Sequence, residues 1–203
     1  MADPSPPDPA RRDRPPARTE RRTKAIDAFI DLVLEQGAHP RPEDVAARAG
    51  VSIASLYRYF ANLDELRGDA VTRLVQRFPD LFDISRISNG DRSERIAAFA
   101  AARFALHETL HPLQLLSVAM GHADACAAKH VDGTRSALAG QVRLQFHPEL
   151  ESLSPARRDD AVAAIAALTS VESWEHFRRS YGRTPAQTRR AWTAALDRLV
   201  PDP

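Results

Sequence analysis

Apolar positions along the chain recur with a period of three to four residues almost everywhere from Thr19 onward. Ile26, Phe29, Ile30 and Val33 stand at i, i+3, i+4 and i+7, the spacing of one face of a helix, and Gly37 follows where a left-handed cap belongs. The pattern predicts a short helix from Pro42 to Ala49 ending at Gly50, and another from Ile53 to Phe60. Asn62 with Glu65 reads as a capping box opening a fourth helix to Phe78, stopped by Pro79. Pro79 to Gly90 has weak periodicity, an Asn-Gly pair and serines, and marks a junction.

Beyond it, Asp91 with Glu94 caps a long helix to Leu110, and Pro112 suits the first turn of a further one. Asp132 is expected to cap another, ending before Pro148. Ser154-Pro155 and Thr184-Pro185 open the last two helices, the first running through Val162 to Tyr181 and ending before Gly182. No alternating strand pattern and no internal repeat is present in the sequence. The expected architecture is all-α, with about nine helices. It divides into an arm over residues 1–18, a helix-turn-helix domain over 19–79 and a larger helical domain over 80–203.

Composition changes this picture little. Hydrophobic residues at 43 % and charged residues at 27 % are ordinary for a globular chain. The single cysteine, Cys126, excludes an internal disulfide framework and fits a reducing, cytoplasmic setting. No apolar run is long enough to cross a bilayer, and the Pro- and Arg-rich start lacks the apolar stretch of a secretory signal.

Charge changes it more. Net charge is +1 overall, but Ala10 to Ala25 carries +5 and Ile26 to Leu66 carries −4. A disordered basic arm thus precedes an acidic block, and such an arm attracts polyanions, nucleic acid before anionic membrane. On charge alone a solvated tail is an equal reading.

Pro42 to Phe60 has the spacing of a helix-turn-helix, with Gly50 at the turn and Val45, Ala46, Val51, Leu56 and Phe60 as the buried face. Ser52, Ile53, Ala54, Ser55, Tyr57, Arg58 and Tyr59 are left to point outward. Two tyrosines and an arginine make a poor solvent face but a good DNA face, because phenols and guanidinium reach phosphates and a helix fits the major groove. Packing of the two tyrosines against neighbouring helices is the plain alternative.

The run from Ala46 to Phe60, followed by Asn62, Glu65 and Leu66, resembles the DNA-binding signature of the TetR (tetracycline-repressor) family. The resemblance spans about Arg22 to Val71, a quarter of the chain. It implies a homodimeric repressor that binds a palindromic operator on double-stranded DNA and responds to a small-molecule effector in its C-terminal domain. Two departures stand out. Leu63 occupies a position where the family usually has a phosphate-contacting lysine, and Pro40 and Arg41 replace threonines before the second helix. Arg18, Arg21, Arg22 and Lys24 are therefore expected to supply much of the missing backbone attraction, and Arg41 is a further candidate DNA-binding residue.

Phe99, Phe104, Leu113, Leu116, Met120, Trp174 and Phe177 are candidate lining for a partly apolar effector pocket, or plain core. Ile165, Thr169, Trp192, Leu196 and Leu199 are equally consistent with a dimer-forming face. His122, Cys126 and His130 at four-residue spacing, and His107 with His111, have a weak metal-site pattern, set against ordinary surface or core roles. No phosphate loop, nucleophile elbow or paired-carboxylate site argues for an enzyme, and no cofactor is implied. The rival to a regulator is a helical interaction protein that kept the fold but lost DNA binding, a reading that Leu63 and the acidic block support.

Overall fold

The computed structural model describes residues 17–83, 90–122 and 124–202. The basic arm before Ala17, the middle of the expected junction and the Cys126 side chain lie outside them. Among the described residues there are eleven α-helices and no strand, so the count of nine is too low while the all-α class holds. The chain divides into two compact units, Met1–Arg73 and Leu74–Pro203. The division falls inside a helix, upstream of Pro79, because a proline ends a helix whereas a unit is set by which side chains pack together.

The first unit contains α1 (Ala17–Gln36), α2 (Pro42–Ala49), α3 (Ile53–Tyr59) and most of α4 (Leu63–Arg77). Ile26, Phe29, Ile30 and Val33 of α1 are buried with Val45 and Ala46 of α2, Leu56 of α3 and Leu66 of α4. At seven residues α3 is too short to be stable alone, so burial of Leu56 and the following Phe60 is what holds it. Gly50, at φ 68°, makes the turn before it, and the next two N–H groups of that turn, Gly50 and Val51, donate to the Ala47 and Ala46 carbonyls. Ser52 then caps α3 by accepting from Ser55 N–H at 3.1 Å. Glu65 N–H donates to Asn62 as a cap requires, but the Glu65 carboxylate accepts from Ala61 N–H, one residue beyond the expected box.

The second unit adds α5 (Pro79–Phe82), α6 (Arg92–Gly121), α7 (Ala125–Gln145), α8 (His147–Glu151), α9 (Pro155–Leu168), α10 (Val171–Glu175), a π-helical turn (His176–Ser180) and α11 (Pro185–Leu199). The capping boxes at Asp91–Glu94 and Thr184–Gln187 are both formed. Ile96, Phe99, Phe104, Val142, Phe146, Ile165, Trp192 and Leu196 form the centre of its core.

Three expectations are corrected. Pro112 does not start a helix; α6 runs through it, with the His107 ring bonded to Gln114 at 2.8 Å on either side of the proline. Asp132 is an exposed mid-helix residue, and α7 is capped earlier by Asp124, which accepts from Ala127 N–H at 2.8 Å. The helix expected from Val162 to Tyr181 breaks at Thr169 and Ser170. There the Thr169 hydroxyl donates back to the Ile165 carbonyl, and Ser170 recaps α10 by accepting from Ser173 N–H.

Candidate nucleic-acid interface

Helical periodicity sorts α3 into two faces. Leu56 and Tyr59, three apart, turn inward at 2 % and 7 % exposure. Ser52, Ile53, Ala54, Tyr57 and Arg58 face out, with Tyr57 53 % exposed, and Ser55 is half-buried. The expectation that both tyrosines present outward is therefore corrected for Tyr59, whose ring belongs to the inner face. Of these five outward residues and Ser55, only Tyr57 and Arg58 have long polar reach.

The Tyr59 hydroxyl nevertheless helps to arrange the surface. Burial pushes its pKa up, but hydrogen bonds from Arg58 and Arg21, and their charge, outweigh this and leave the phenol below its ordinary value. The Arg58 guanidinium lies 5.6 Å from the Tyr59 ring centre and donates to Ser55 Oγ at 3.1 Å. Arg18 donates to the Arg58 carbonyl at 3.5 Å. The start of α1 and the end of α3 thus gather three guanidiniums, and no carboxylate among the described residues lies within 4.0 Å of Arg18, Arg21 or Arg58.

The other expected cations are committed within the unit. Arg22 is half-buried, pairs with Glu65 at 3.0 Å and with Asp69, and lies 4.7 Å from the Phe60 ring centre. It is a strut joining α1 to α4. Lys24 pairs with Glu20 at 3.1 Å, and Arg41 holds Asp44 with two hydrogen bonds of 3.0 and 3.2 Å. Arg48 does the same with Glu35. Leu63, at the first residue of α4, is half-buried and offers no donor.

In the second unit the expected sites disperse. Phe99, Phe104, Leu113 and Trp174 are buried, while Leu116, Met120 and Phe177 are half-buried. None of the seven lines the cleft of about 170 Å³ between the end of α6 and the start of α7, formed by Val118, Gly121, His122, Ala128, Val131, Asp132 and Arg135. Ile165, Thr169, Trp192 and Leu196 are at 0–2 % exposure inside the chain's own core, so their surface is unavailable to a second copy; Leu199, 36 % exposed, is on the outside. Periodicity found their buried face but could not say what buries it.

His122 lies beyond the end of α6 and His130 lies on α7, so the expected single face does not exist; Cys126 lies outside the described side chains. His107 is bonded to Gln114 and to the Thr169 carbonyl, and His111 stacks on Trp174 at 4.3 Å. Among the described residues no three His, Cys, Asp or Glu side chains converge as a metal site would require. Sequence reasoning missed the Arg103 guanidinium, which is buried at 4 % exposure. An arginine at the core-facing register of Ile96, Phe99 and Ala100 was the available signal.

Residues 26–70 match the family of bacterial regulatory proteins, tetR family. The whole fold is similar to a tetR-family transcriptional regulator from Streptomyces coelicolor, with a TM-score of 0.72 at 19 % identity over 89 % of this chain and 80 % of that one. A transcriptional regulator from Rhodococcus sp. Rha1 aligns at TM-score 0.67 and 18 % identity, covering 88 % and 95 %. The multidrug binding protein EbrR, solved with imidazole, aligns at 0.58 and 21 %, covering 90 % and 96 %. No curated protein matches the chain. Regulators of this family are DNA-binding transcription factors and not enzymes.

Proposed function

We propose that this chain, a tetR-family transcriptional regulator by its matched domain and its fold, is a homodimeric repressor that binds a palindromic operator and releases it when a small molecule occupies the second unit. The outer face of α3 carries the reading. Tyr57 and Arg58 are exposed at the end of a helix narrow enough for the major groove, and Ile53 and Ala54 suit thymine methyl groups. Arg18, Arg21 and Arg58, which no carboxylate among the described residues matches, supply the attraction to phosphate. Two copies about 34 Å apart would place such helices in successive major grooves.

The effector half of the proposal draws support from the similarity to a multidrug binding protein and from the partly apolar second unit. Release requires an effector that prefers the non-binding arrangement; tight binding alone shifts nothing. No helix among the described residues is long and apolar enough to cross a membrane, which agrees with a cytoplasmic site of action.

The rival, a helical interaction protein without DNA binding, is favoured by the carboxylates that occupy Arg22, Lys24 and Arg41. Fluorescence anisotropy with labelled duplex from the region upstream of the coding sequence separates the two. A salt-sensitive complex with two chains per duplex, lost in Tyr57→Ala, supports the repressor. A chain that shows no preference for that duplex over random DNA supports the rival.

A further inference from the structure

The core of the second unit contains a charge that no carboxylate among the described residues cancels. Arg103, on α6, is 4 % exposed and lies 5.0 Å from the Phe99 ring centre. Its Nη2 donates to the Leu138 carbonyl of α7 at 2.7 Å. A guanidinium has five N–H donors, and no carboxylate among the described residues comes within 4.0 Å of this one. Several other arginines of the unit are matched: Arg92 with Asp197, Arg95 with Glu149, Arg135 with Glu172, Arg143 with Asp159 and Arg178 with Glu108.

Burial lowers the Arg103 pKa to about 10, so the group keeps its charge at neutral pH. One turn along α6, the His107 ring is fully buried, and that burial lowers its pKa and favours the neutral ring, which carries no charge to compensate Arg103. Trp192, whose ring centre is 6.1 Å from that of His107, has a buried indole N–H with no acceptor among the described residues. An isolated charge in apolar surroundings is costly, and the cost falls when an anion joins it.

We propose that Arg103 is the anion-binding residue of an effector site within the second unit, and that the effector is a monocarboxylate with an apolar body. The inference rests on the proposed response to a small molecule and names its chemical class. One unmatched guanidinium balances one negative charge, whereas a doubly charged phosphate would leave a buried excess. A planar guanidinium fits a carboxylate through two parallel hydrogen bonds. Phe99, one turn before Arg103, and Phe104, the next residue, suit an aliphatic or aromatic body.

The test uses the full chain and medium-length saturated fatty acids, each paired with the primary alcohol of the same length. Binding is read from the fluorescence of Trp174 and Trp192, the chain's two tryptophans, both in the second unit. The acid is expected to bind roughly ten- to a hundredfold tighter than its alcohol, the effect of one charge-assisted hydrogen-bonded pair. Arg103→Met should erase that preference while alcohol binding persists, and Arg103→Lys should restore part of it. Equal binding of acid and alcohol to the unaltered chain, binding of neither, or a preference retained in Arg103→Met would each overturn the proposal. The unaltered chain decides this even if Arg103→Met does not fold. Anisotropy on the upstream duplex, run in parallel, keeps the two proposals apart. Acid binding that leaves duplex affinity unchanged sustains the Arg103 site and refutes effector-controlled release.

Discussion

Replacing Arg18 and Arg21 together by alanine should change the salt dependence of DNA binding more than it changes folding. Both side chains are exposed and neither is matched by a carboxylate among the described residues. A dimer would lose four guanidiniums. If each neutralises one phosphate, the slope of log affinity against log salt becomes shallower by about 3 to 4, at about 0.9 per phosphate. Between about 50 and 200 mM salt, the unaltered chain should then lose roughly a hundredfold more affinity than the variant.

The assay is anisotropy of a labelled duplex titrated at four or more salt concentrations, with thermal melts to confirm folding. Surface changes of this kind move stability by only about 0.5 kcal/mol, although Arg21 also bonds the Tyr59 phenol. Lys24→Ala and Arg41→Ala are the controls, because those cations already hold Glu20 and Asp44. An unchanged slope in the double variant, or an equal change in the controls, refutes the division into free and committed cations.

Two further outcomes test the packing. Glu149 is fully buried and pairs with Arg95, so Glu149→Ala should destabilise the chain by about 3 to 5 kcal/mol in urea unfolding, with Glu149→Gln milder because it keeps an acceptor; a loss below about 1 kcal/mol contradicts the buried pair. Acid should also weaken the fold. Glu35 and Asp44 are held below their ordinary pKa by hydrogen bonds from Arg48 and Arg41, Glu65 first by Ala61 N–H and then by Arg22, and Asp91 by Glu94 N–H. The unfolded chain binds more protons than the folded one in this range, so stability present at neutral pH is lost as pH falls below about 5. A melting temperature that stays flat from neutral pH to about pH 3 would count against these contacts.

Much of the first unit could be read from residues alone because its signals are local. Gly50 needs a left-handed turn, Ser52 caps the next N–H groups, and Leu56 repeats at helical spacing with Phe60. Tyr59 was misplaced although the same spacing sets it beside Leu56; the weight given to its phenol hid the period of its position. In the second unit the local signals misled where competing side chains intervened. Pro112 carries a strong helix-start preference, yet packing of α6 on α7, α10 and α11 outweighs it. Asp132 could cap a helix, but Asp124 does so first.

From its residues alone this chain was committed to helices, to a turn of fixed hand before a seven-residue helix, and to an excess of positive charge ahead of an acidic stretch. Those properties depend on backbone preference, periodicity and charge, each carried by a few neighbouring residues. Only the folded arrangement decided which cations are spoken for, since Arg22 meets Glu65 and Asp69 across more than forty positions of sequence. It alone decided that Trp192 and Ile165 are spent within the chain, and that Arg103 is buried on the Leu138 carbonyl with no carboxylate among the described residues beside it. Ion pairing and burial depend on distance in space, and that distance exists only after the chain has closed on itself.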